Sequence, residues 1–511
     1  MSKELIAVLD FGGQYSHLIT RRIRECEVYS ELLPHTTTAE NLAKLDVKGV
    51  VLSGGPCSVY DEDAPKCDPE IFQMHRPVLG ICYGLQLMVQ LHGGHVKATN
   101  RREYGKTQLE IKDTSDLFQG MSNRITSWMS HGDYADVLPK EFEVIANSEN
   151  CQTAAIREPN LRLYGVQFHP EVSHTENGIQ VIRNFVCNIC GCSPSWTSRS
   201  IIETAIRRIK SEVGNGRILT AVSGGVDSTT TAVLAREAVG DGLTCIFVNH
   251  GLLRKDEEVN VLSMMKDLKL NVRYVDASKR FLDRLKGVRD PEQKRKVIGE
   301  EFIKVFDEES AKLGTFHFLA QGTLYPDVIE SAGTGSPASK IKTHHNVGGI
   351  PEWSRFRIIE PLKLLYKDEV RKIAKELGIP EQIVSNHPFP GPGLAVRIVG
   401  EVTEEKLRIC REASAIVEDV LTRRGLYNTV WQAFAIVGED KGVGVLGDQR
   451  MLGHMVTVRV VRSLDGMTAD WVRLPDDVLE EISNRVTGEV SNVTWVSFAI
   501  TSKPPSTIEP C

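Results

Sequence analysis

The stretch PVLGICYG at residues 77–84 decides the fold of the first part of this chain. Its first half is a continuous apolar run, which is typical of a strand buried on both faces of a sheet. Its second half has the pattern G-x-C-x-G around Cys82, and the helix-like stretch LQLMVQLHGG follows at residues 85–94. Strand, tight turn and helix in that order predict an α/β domain in which Cys82 stands on a sharp turn at the end of a strand.

Similar apolar runs surround this stretch. They lie at residues 5–11, 49–55 and 164–169, and helix-like segments separate them. We therefore predict a first doubly wound α/β domain over residues 1–192, built on a mixed or parallel sheet. The segment 188–198 is rich in Gly, Pro and Ser and is interpreted as a linker.

A second α/β pattern occupies residues 197–390. A predicted helix leads into four predicted strands with charged helices between them; these elements lie at 199–213, 217–223, 244–250, 272–278 and 315–322. This pattern predicts a second doubly wound domain. The segment HPFPGPGLAVR at 387–397 is too rich in Pro and Gly for a helix to pass through it, so we place the next boundary there.

Residues 391–511 have a different pattern. One long predicted helix, about 404–424, follows Thr403 and stops at Gly425, as expected of a capped helix. β-rich segments then surround a helix near 476–486. The fold class predicted for the whole chain is α/β, with two doubly wound α/β domains followed by a small α+β domain.

The composition of the chain argues against several functional classes. The chain has 511 residues and a formal net charge of −6, and it has no Lys/Arg-rich block, which argues against a nucleic-acid partner. No stretch approaches the roughly 20 apolar residues of a membrane helix. The 11 cysteines follow no framework spacing, which favours the reducing cytoplasm. Cys187, Cys190 and Cys192 resemble half a zinc site, but no second half follows, so structural thiols are favoured.

The first candidate site centres on Cys82. A cysteine nucleophile needs a base and the base needs an orienter, and the string His169-Pro170-Glu171 after a predicted strand offers both. The small residues of SGGP at 53–56 leave backbone N–H groups free for an oxyanion, together with the Tyr83 amide. A buried cysteine is more often only a small hydrophobic residue. Three such motifs, each after a predicted strand, favour a nucleophilic site instead.

The second candidate site is a glycine loop between a predicted strand and a predicted helix. It consists of Ser223, Gly224, Gly225, Val226, Asp227, Ser228 and Thr229. Backbone amides and hydroxyls in this arrangement bind phosphate at a helix N-terminus. The loop lacks the Gly-Lys-Ser/Thr ending of a Walker A motif. Asp227 is the expected partner of Mg²⁺.

Residues 332–349 form a basic, glycine-flanked segment near the predicted phosphate loop. Lys342 lies within this segment, which we interpret as a lid that contacts phosphate. The alternative is a solvated surface loop.

These motifs resemble known families. The first domain resembles the class I glutamine amidotransferases, with Cys82, His169 and Glu171 in the triad positions. The string SGGVDS resembles the loop of the N-type ATP pyrophosphatases. Over its full length the chain resembles the glutamine-hydrolysing GMP synthases, through strings that include DFGGQYSHLITRRIRE, GVQFHPEVSHTENG, IKTHHNVGGIPE, HPFPGPGLAVRI and TSKPPSTIE.

The resemblance implies a reaction and further site residues. ATP would adenylylate xanthosine 5′-monophosphate (XMP) with Mg²⁺ as cofactor, and ammonia from glutamine would displace AMP to give GMP. The first domain would bind glutamine and its oxyanion through Gly55, Tyr83 and Gln86. The last domain would make a homodimer and help to bind XMP, for which the resemblance implicates Arg295, Arg397, Lys503, Ile508 and Glu509. The chain departs from the family pattern at Pro510-Cys511, where the family usually has Trp-Glu.

Two other hypotheses stay open at this point. One is an amide ligase with the same ATP loop that acts on another acceptor, such as a nucleobase in RNA; the acidic net charge weighs against it. The other is a regulatory or scaffold protein that retains the fold without catalysis. The intact Cys82, His169 and Glu171 and the complete SGGVDS loop weigh against that hypothesis.

Overall fold

The structure, a computed structural model, describes residues 4–332, 356–446, 448–463, 466 and 468–511. It divides into two compact units, residues 1–200 and 201–511. The first boundary lies close to the predicted linker. The three predicted domains remain a prediction, because the boundary proposed near residue 390 falls inside the second unit.

The first unit is built on a nine-stranded sheet in the order β2-β1-β3-β4-β9-β8-β7-β5-β6. Its strands are β1 (Leu5–Asp10), β2 (Tyr29–Pro34), β3 (Val47–Leu52), β4 (Val78–Ile81), β5 (His95–Ile111), β6 (Arg124–Val137), β7 (Glu143–Ser148), β8 (Ala155–Glu158) and β9 (Leu163–Val166). The pairs from β2 to β9 are parallel and those from β9 to β6 are antiparallel. The parallel half places the ends of β3, β4 and β9 side by side, where the predicted motifs follow.

The helices of the first unit are α1 (Ser16–Glu25), α2 (Ala39–Lys44), α3 (Tyr83–Leu91) and α4 (Gly178–Arg183), which runs into one π-helical turn (Asn184–Ile189). A 3₁₀ turn covers Pro69–Gln73. The strands predicted at 5–11, 49–55, 77–82 and 164–169 are all present. The long antiparallel strands β5 and β6 were not predicted, because charged and polar side chains interrupt their apolar pattern.

The second unit contains a five-stranded parallel sheet in the order β12-β11-β10-β13-β14. Its strands are β10 (Ile218–Ala221), β11 (Leu243–Asn249), β12 (Val272–Asp276), β13 (Phe318–Ala320) and β14 (Arg357–Ile359). The helices around it are α5 (Ser198–Val213), α6 (Val226–Val239), α7 (Glu257–Asp267), α8 (Ser278–Leu285), α9 (Pro291–Lys312), α10 (Tyr325–Ala332), α11 (Lys367–Glu376) and α12 (Glu381–Val384). Short 3₁₀ turns cover Gly240–Gly242 and Gly393–Arg397.

The rest of the second unit is α+β, as the sequence predicts. The helix α13 (Glu404–Arg423) begins after Thr403, whose side chain accepts a hydrogen bond from the Lys406 amide. A 3₁₀ turn (Tyr427–Thr429), the strands β15 (Gln432–Leu446), β16 (Gln449–Arg462), β17 (Asp470–Trp471) and β18 (Val493–Phe498), and the helix α14 (Asp476–Glu489) follow. One hydrophobic core joins Leu219 of the five-stranded sheet to Val456 and Ile482 of this region.

Candidate active sites

The turn after β4 holds Cys82 in an unusual backbone conformation. Its φ is 53° and its ψ is −104°, which strains a residue with a side chain. The flanking glycines make the turn possible. A Cβ on Gly80 would lie 2.5 Å from the backbone of Gly84, and a Cβ on Gly84 would lie 2.4 Å from Leu52 O. The sequence pattern G-x-C-x-G is therefore required by close backbone approach, and it presents Cys82 at the N-terminus of α3.

His169 and Glu171 follow β9, beside the turn that carries Cys82. His169 Nδ1 lies 2.7 Å from Glu171 Oε1, and both residues are buried. Burial opposes a charge on His169, but Glu171 and Cys82 together raise the pKa of the imidazole above its ordinary value. Arg22 on α1 donates to Glu171 O at 2.8 Å, and Thr175 Oγ1 donates to His169 O at 2.6 Å. The backbone of Glu171, the residue expected to orient His169, is therefore fixed, and its carboxylate is buried.

The sulfur of Cys82 faces the backbone and an amide side chain as well as the histidine. Gln167 Nε2 lies 3.5 Å from Cys82 Sγ, and Ser130 O lies 3.9 Å from it. A Cβ on Gly54 would lie 3.3 Å from His169 Cε1 and 3.9 Å from Cys82 Cβ, so the SGGP loop passes close to the site. Neither Gln167 nor Ser130 was predicted, because neither belongs to a recognisable motif.

The three residues assigned to glutamine and oxyanion binding lie around the same turn. Gly55 has no room for a side chain, since a Cβ there would lie 3.0 Å from Phe11 O. Tyr83 is the first residue of α3, and its hydroxyl donates to Pro65 O. The Gln86 side chain is buried and its Nε2 donates to Asp133 O at 2.8 Å. Their roles toward a substrate remain predictions.

The predicted phosphate loop connects β10 to α6. Gly224 has a φ of +79°, which favours glycine, and a Cβ there would lie 2.3 Å from Val261 Cγ2. Both the backbone conformation and the close approach of Val261 therefore require glycine. Ser228 Oγ accepts from the Ser223 amide at 3.1 Å and donates to Gly225 O at 3.2 Å. These bonds close the loop over the N-terminus of α6, where backbone N–H groups and the helix dipole favour an anion.

Asp227 lies in the first turn of α6 and forms an ion pair with Lys367, the first residue of α11. The pair uses Asp227 Oδ2. Asp227 Oδ1 is buried and has no hydrogen-bond partner among the described residues. Gly322, at the end of β13, packs against the same residue, since a Cβ there would lie 3.4 Å from Asp227 Cβ. Lys367 was not predicted, because a single lysine at a helix start carries no signal in the sequence.

Comparisons with known proteins match both ends of the chain. The model of the family described as glutamine amidotransferase class-I matches residues 7–189, and that described as GMP synthase C terminal domain matches residues 419–510. A GMP synthase [glutamine-hydrolyzing] of Synechocystis sp. is 55% identical, with 99% of this chain and 95% of the relative covered. The enzyme of the same name from Caldanaerobacter subterraneus is also 55% identical, over 100% of this chain and 99% of the relative. The chain belongs to the glutamine-hydrolysing GMP synthases.

This membership confirms the predicted family and fold class. The GMP synthase of Thermosynechococcus vestitus, at 54% identity over 100% of this chain, extends the match through both candidate sites. The amidotransferase model covers Cys82, His169 and Glu171, and the C-terminal model covers the tail with Lys503, Ile508 and Glu509.

Three of the residues that the GMP synthase resemblance implicated in acceptor binding lie close together. Arg397 is fully buried, and its guanidinium stacks over the ring of Phe434 at 4.3 Å. Burial and the charge of Arg254 lower the pKa of Arg397 to about 10. Ile508 packs in a cluster with Phe434, and Glu509 Oε1 accepts from Gln432 Nε2 at 2.6 Å.

Arg397 has unused hydrogen-bond donors. Its Nε and Nη1 are buried and have no partner among the residues that the structure describes. Buried unpaired donors cost free energy, so they mark a place where an anionic group would be stabilised.

The other two implicated residues hold the tail in different places. Arg295 Nη2 donates to Cys511 O at 2.6 Å, and the Cys511 amide donates to Val396 O at 3.2 Å. The tail therefore passes along the segment that carries Arg397. Lys503 Nζ donates instead to Gly466 O at 2.8 Å. Lys342 and the rest of the predicted lid at 333–349 lie outside the described residues.

Arg459 on β16 organises this tail and was not predicted. Its guanidinium is buried and donates to Ile508 O, Thr501 O, Ser506 Oγ and Thr507 O at distances from 2.8 to 3.1 Å. A planar guanidinium can hold several carbonyl groups at once. The sequence offered no signal for this role, because an arginine in a strand is usually exposed.

The cysteines form no metal centre among the residues described. No group of three or more His, Cys, Asp or Glu there has the arrangement to hold a metal ion. Cys190 packs against Gly49, where a Cβ would lie 2.4 Å from its sulfur, and burial raises the pKa of its thiol well above the ordinary value. All eleven cysteines are free. Within the described ranges, no helix is long and apolar enough to cross a membrane.

Proposed function

We propose that this chain converts XMP to GMP, with glutamine as the nitrogen donor and ATP cleaved to AMP and pyrophosphate. The observation that carries the proposal is 55% identity over 99% of the chain to a glutamine-hydrolysing GMP synthase. Two features of the geometry support it. One is a buried His–Glu pair beside a strained cysteine, and the other is a phosphate loop of the SGGxDS type.

The first unit releases ammonia from glutamine. The Cys82 thiol gives its proton to His169 as the sulfur attacks the side-chain amide carbon, and the amides of Gly55 and Tyr83 stabilise the oxyanion. The C–N bond breaks, ammonia leaves with the proton from His169, and a γ-glutamyl thioester remains on the sulfur. Water hydrolyses the thioester to glutamate and frees Cys82. Glu171 orients His169 and stabilises its charged form.

The second unit activates the acceptor. The C2 oxygen of XMP attacks the α-phosphorus of ATP, pyrophosphate leaves, and the adenylyl group stays on the oxygen. Ammonia then adds at C2 and AMP leaves with that oxygen. The loop from Ser223 to Thr229 holds the departing pyrophosphate through its backbone N–H groups and hydroxyls. Lys367 pairs with Asp227 of this loop and supplies a further positive charge.

The residues at the loop fit a magnesium ion. Asp227 Oδ1 is buried without a partner in the described part of the chain, and a carboxylate oxygen is a ligand that Mg²⁺ prefers. Magnesium at nucleotide sites takes one or two protein carboxylates and completes its shell with phosphate and water, so no larger ligand cluster is needed. When bound there, the ion would offset negative charge on the pyrophosphate.

The acceptor lies by the C-terminal tail. We assign Arg295, Arg397, Lys503, Ile508 and Glu509 to XMP, because the tail brings a carboxylate and an apolar side chain beside the buried Arg397 guanidinium, whose Nε and Nη1 have no partner among the described residues. Guanidinium and ammonium groups suit a phosphate monoester. Lys342 is assigned to the ATP phosphates only because it lies in the basic, glycine-flanked segment predicted near the phosphate loop.

A homodimer is also part of the proposal. Val443, Val445, Leu452 and Trp495 are from 44% to 74% exposed, on the end of the sheet formed by β15, β16 and β18. Leu452 pairs with Val443 in register and Val445 lies two residues further along β15, so these three side chains share one face of the hairpin and form one patch. A second copy of the chain would cover it. Leu452→Asp should then give monomers in analytical ultracentrifugation, whereas Asp476→Asn on α14 should not.

The free cysteines and the lack of a spanning helix among the described residues support a cytoplasmic location.

The activity itself is tested by incubating the purified chain with XMP, ATP, Mg²⁺ and glutamine, and measuring GMP, AMP and pyrophosphate. Equal amounts of the three products are expected. Pyrophosphate release that does not depend on XMP would contradict the assignment of the acceptor and favour a ligase for another substrate.

A further inference from the structure

A buried pair of Glu and His lies in the antiparallel half of the first sheet and is not part of the triad. Glu103 on β5 and His131 on β6 face each other in register, with 3.2 Å between Glu103 Oε2 and His131 Nε2. Each side chain is only 3% exposed. Two ionisable groups removed from water destabilise a fold unless they are paired and fully hydrogen-bonded. We therefore expect the pair to have a functional role.

Two hydrogen bonds fix the orientation of the His131 ring. Its Nδ1 lies 3.0 Å from Asp133 O, a carbonyl that can only accept, so Nδ1 carries a hydrogen. Burial raises the pKa of Glu103, but hydrogen bonds from His131 and Ser148 and the charge of His131 lower it overall below its ordinary value. His131 thus lies between two acceptors, Asp133 O and the Glu103 carboxylate.

The segment 130–133 connects this pair to the nucleophile. Asp133 O also accepts from Gln86 Nε2 at 2.8 Å, and Gln86 Nε2 lies 3.3 Å from Gln167 Oε1. Gln167 Nε2 in turn lies 3.5 Å from Cys82 Sγ. At the other end of the segment, Ser130 O lies 3.9 Å from the same sulfur. The backbone next to His131 therefore borders the sulfur on one side and the Gln86 side chain on the other.

The same segment also fixes the loop that carries the oxyanion donors. The Asp133 carboxylate accepts hydrogen bonds from Ser58 Oγ and Tyr60 OH. Both residues follow Gly55 in the loop after β3. Movement of Asp133 would shift this loop and Gln86 together.

We infer that Glu103 is a positioning residue of the glutaminase, which acts through His131 to hold the segment 130–133 against Cys82 and Gln86. The pair thereby sets where glutamine lies relative to Cys82 Sγ. Glu103 itself touches neither the sulfur nor Gln86. The inference rests on the proposed function, because it names glutamine as the ligand.

Steady-state kinetics of the full chain with XMP, ATP and Mg²⁺, at varied glutamine, test the inference. Glu103→Gln and His131→Gln should each raise the KM for glutamine about 10-fold and change kcat less than about threefold, since each weakens a buried hydrogen bond to a charged carboxylate. The double variant should be no worse than the poorer single variant, because the two side chains act as one unit. Synthesis from added ammonium salt should be unchanged in all three.

Glu110→Gln is the matched control, because Glu110 is an exposed residue on the same strand. It should keep the KM of the unmodified chain. Glu103→Asp keeps the charge but shortens the side chain, so its KM should fall between those of Glu103 and Gln; it decides the question if Glu103→Gln does not fold.

A KM within about twofold of the unmodified value, or effects that add in the double variant, would overturn the inference. The proposed function is tested separately in the same experiment. An unmodified chain that does not hydrolyse glutamine contradicts the proposed function, whereas an active chain with unaffected variants contradicts only the role of Glu103.

Discussion

Lys367 forms an ion pair with Asp227, although 140 positions separate the two residues along the chain. The pair brings the start of α11 to the first turn of α6, beside the phosphate loop. Lys367→Met would remove the cation that we propose to face the leaving pyrophosphate, while preserving most of the apolar stem. We expect ammonium-supported GMP synthesis to fall about 100-fold, the typical effect of removing one group that stabilises transition-state charge.

The measurement for Lys367 is pyrophosphate release with XMP, ATP and ammonium salt. Lys372→Met on the same helix is the control, because Lys372 is exposed. Equal rates for the two variants would show that Lys367 only compensates the charge of Asp227 and does not serve the reaction.

Cys82→Ala separates the two half-reactions. It removes the nucleophile without a large change in volume, so glutamine-supported synthesis should fall to background. Synthesis from ammonium salt should persist at the unmodified rate, because the ATP loop lies in the other unit. Thr175→Val is an informative companion: it removes a donor to His169 O and should lower glutamine-supported synthesis only in part. Loss of ammonium-supported synthesis in Cys82→Ala would mean that Cys82 has a structural role as well.

Local motifs explain why both candidate sites could be proposed from the sequence. The turn at Cys82 and the loop at Gly224 need glycine for close backbone approach, so their patterns are short and specific. The missed residues depend on tertiary contacts. Lys367, Arg459 and the pair of Glu103 with His131 are single polar residues whose partners lie between 28 and 140 positions away. Nothing near them in the sequence reveals such partners.

The antiparallel strands were missed for a related physical reason. β5 carries charged side chains along much of its length, and β6 alternates buried and partly buried residues. β5 pairs with both β6 and β7, so strand pairing rather than a continuous apolar run holds these strands. The largely buried parallel strands β1, β3, β4 and β9 were correctly predicted from their apolar runs, whereas the parallel strands β2 and β14 were not predicted.

The pair of His169 and Glu171 should make stability depend on pH. The pKa of His169 in the folded chain is raised above its value in the unfolded chain, so its contribution is fully present below about pH 6.5 and is lost as the pH rises through the raised pKa. Glu171→Gln removes the charge that raises this pKa. The unmodified chain should therefore melt at a higher temperature than Glu171→Gln at pH 6, and the difference should shrink toward pH 10.

Differential scanning calorimetry of both proteins from pH 6 to pH 10 measures this dependence. Glu176→Gln is the control, since Glu176 is an exposed carboxylate in the same loop region. A difference in melting temperature that stays constant with pH would mean that Glu171 stabilises the fold without changing the protonation of His169.

Arg459 should affect the affinity for XMP although it is not expected to contact the reacting atoms. Its guanidinium holds four groups of the tail that carries Ile508 and Glu509, and a lysine would reach fewer of them. Arg459→Lys should raise the KM for XMP about 10-fold, because more than one hydrogen bond from a charged group is lost. Glutamine hydrolysis should keep its KM for glutamine. The exposed Arg462 lies three residues further along β16, so Arg462→Lys should leave the KM for XMP unchanged. If Arg459→Lys instead lowers kcat at an unchanged KM for XMP, the tail does not bind the acceptor, and the assignment of Ile508 and Glu509 fails with it.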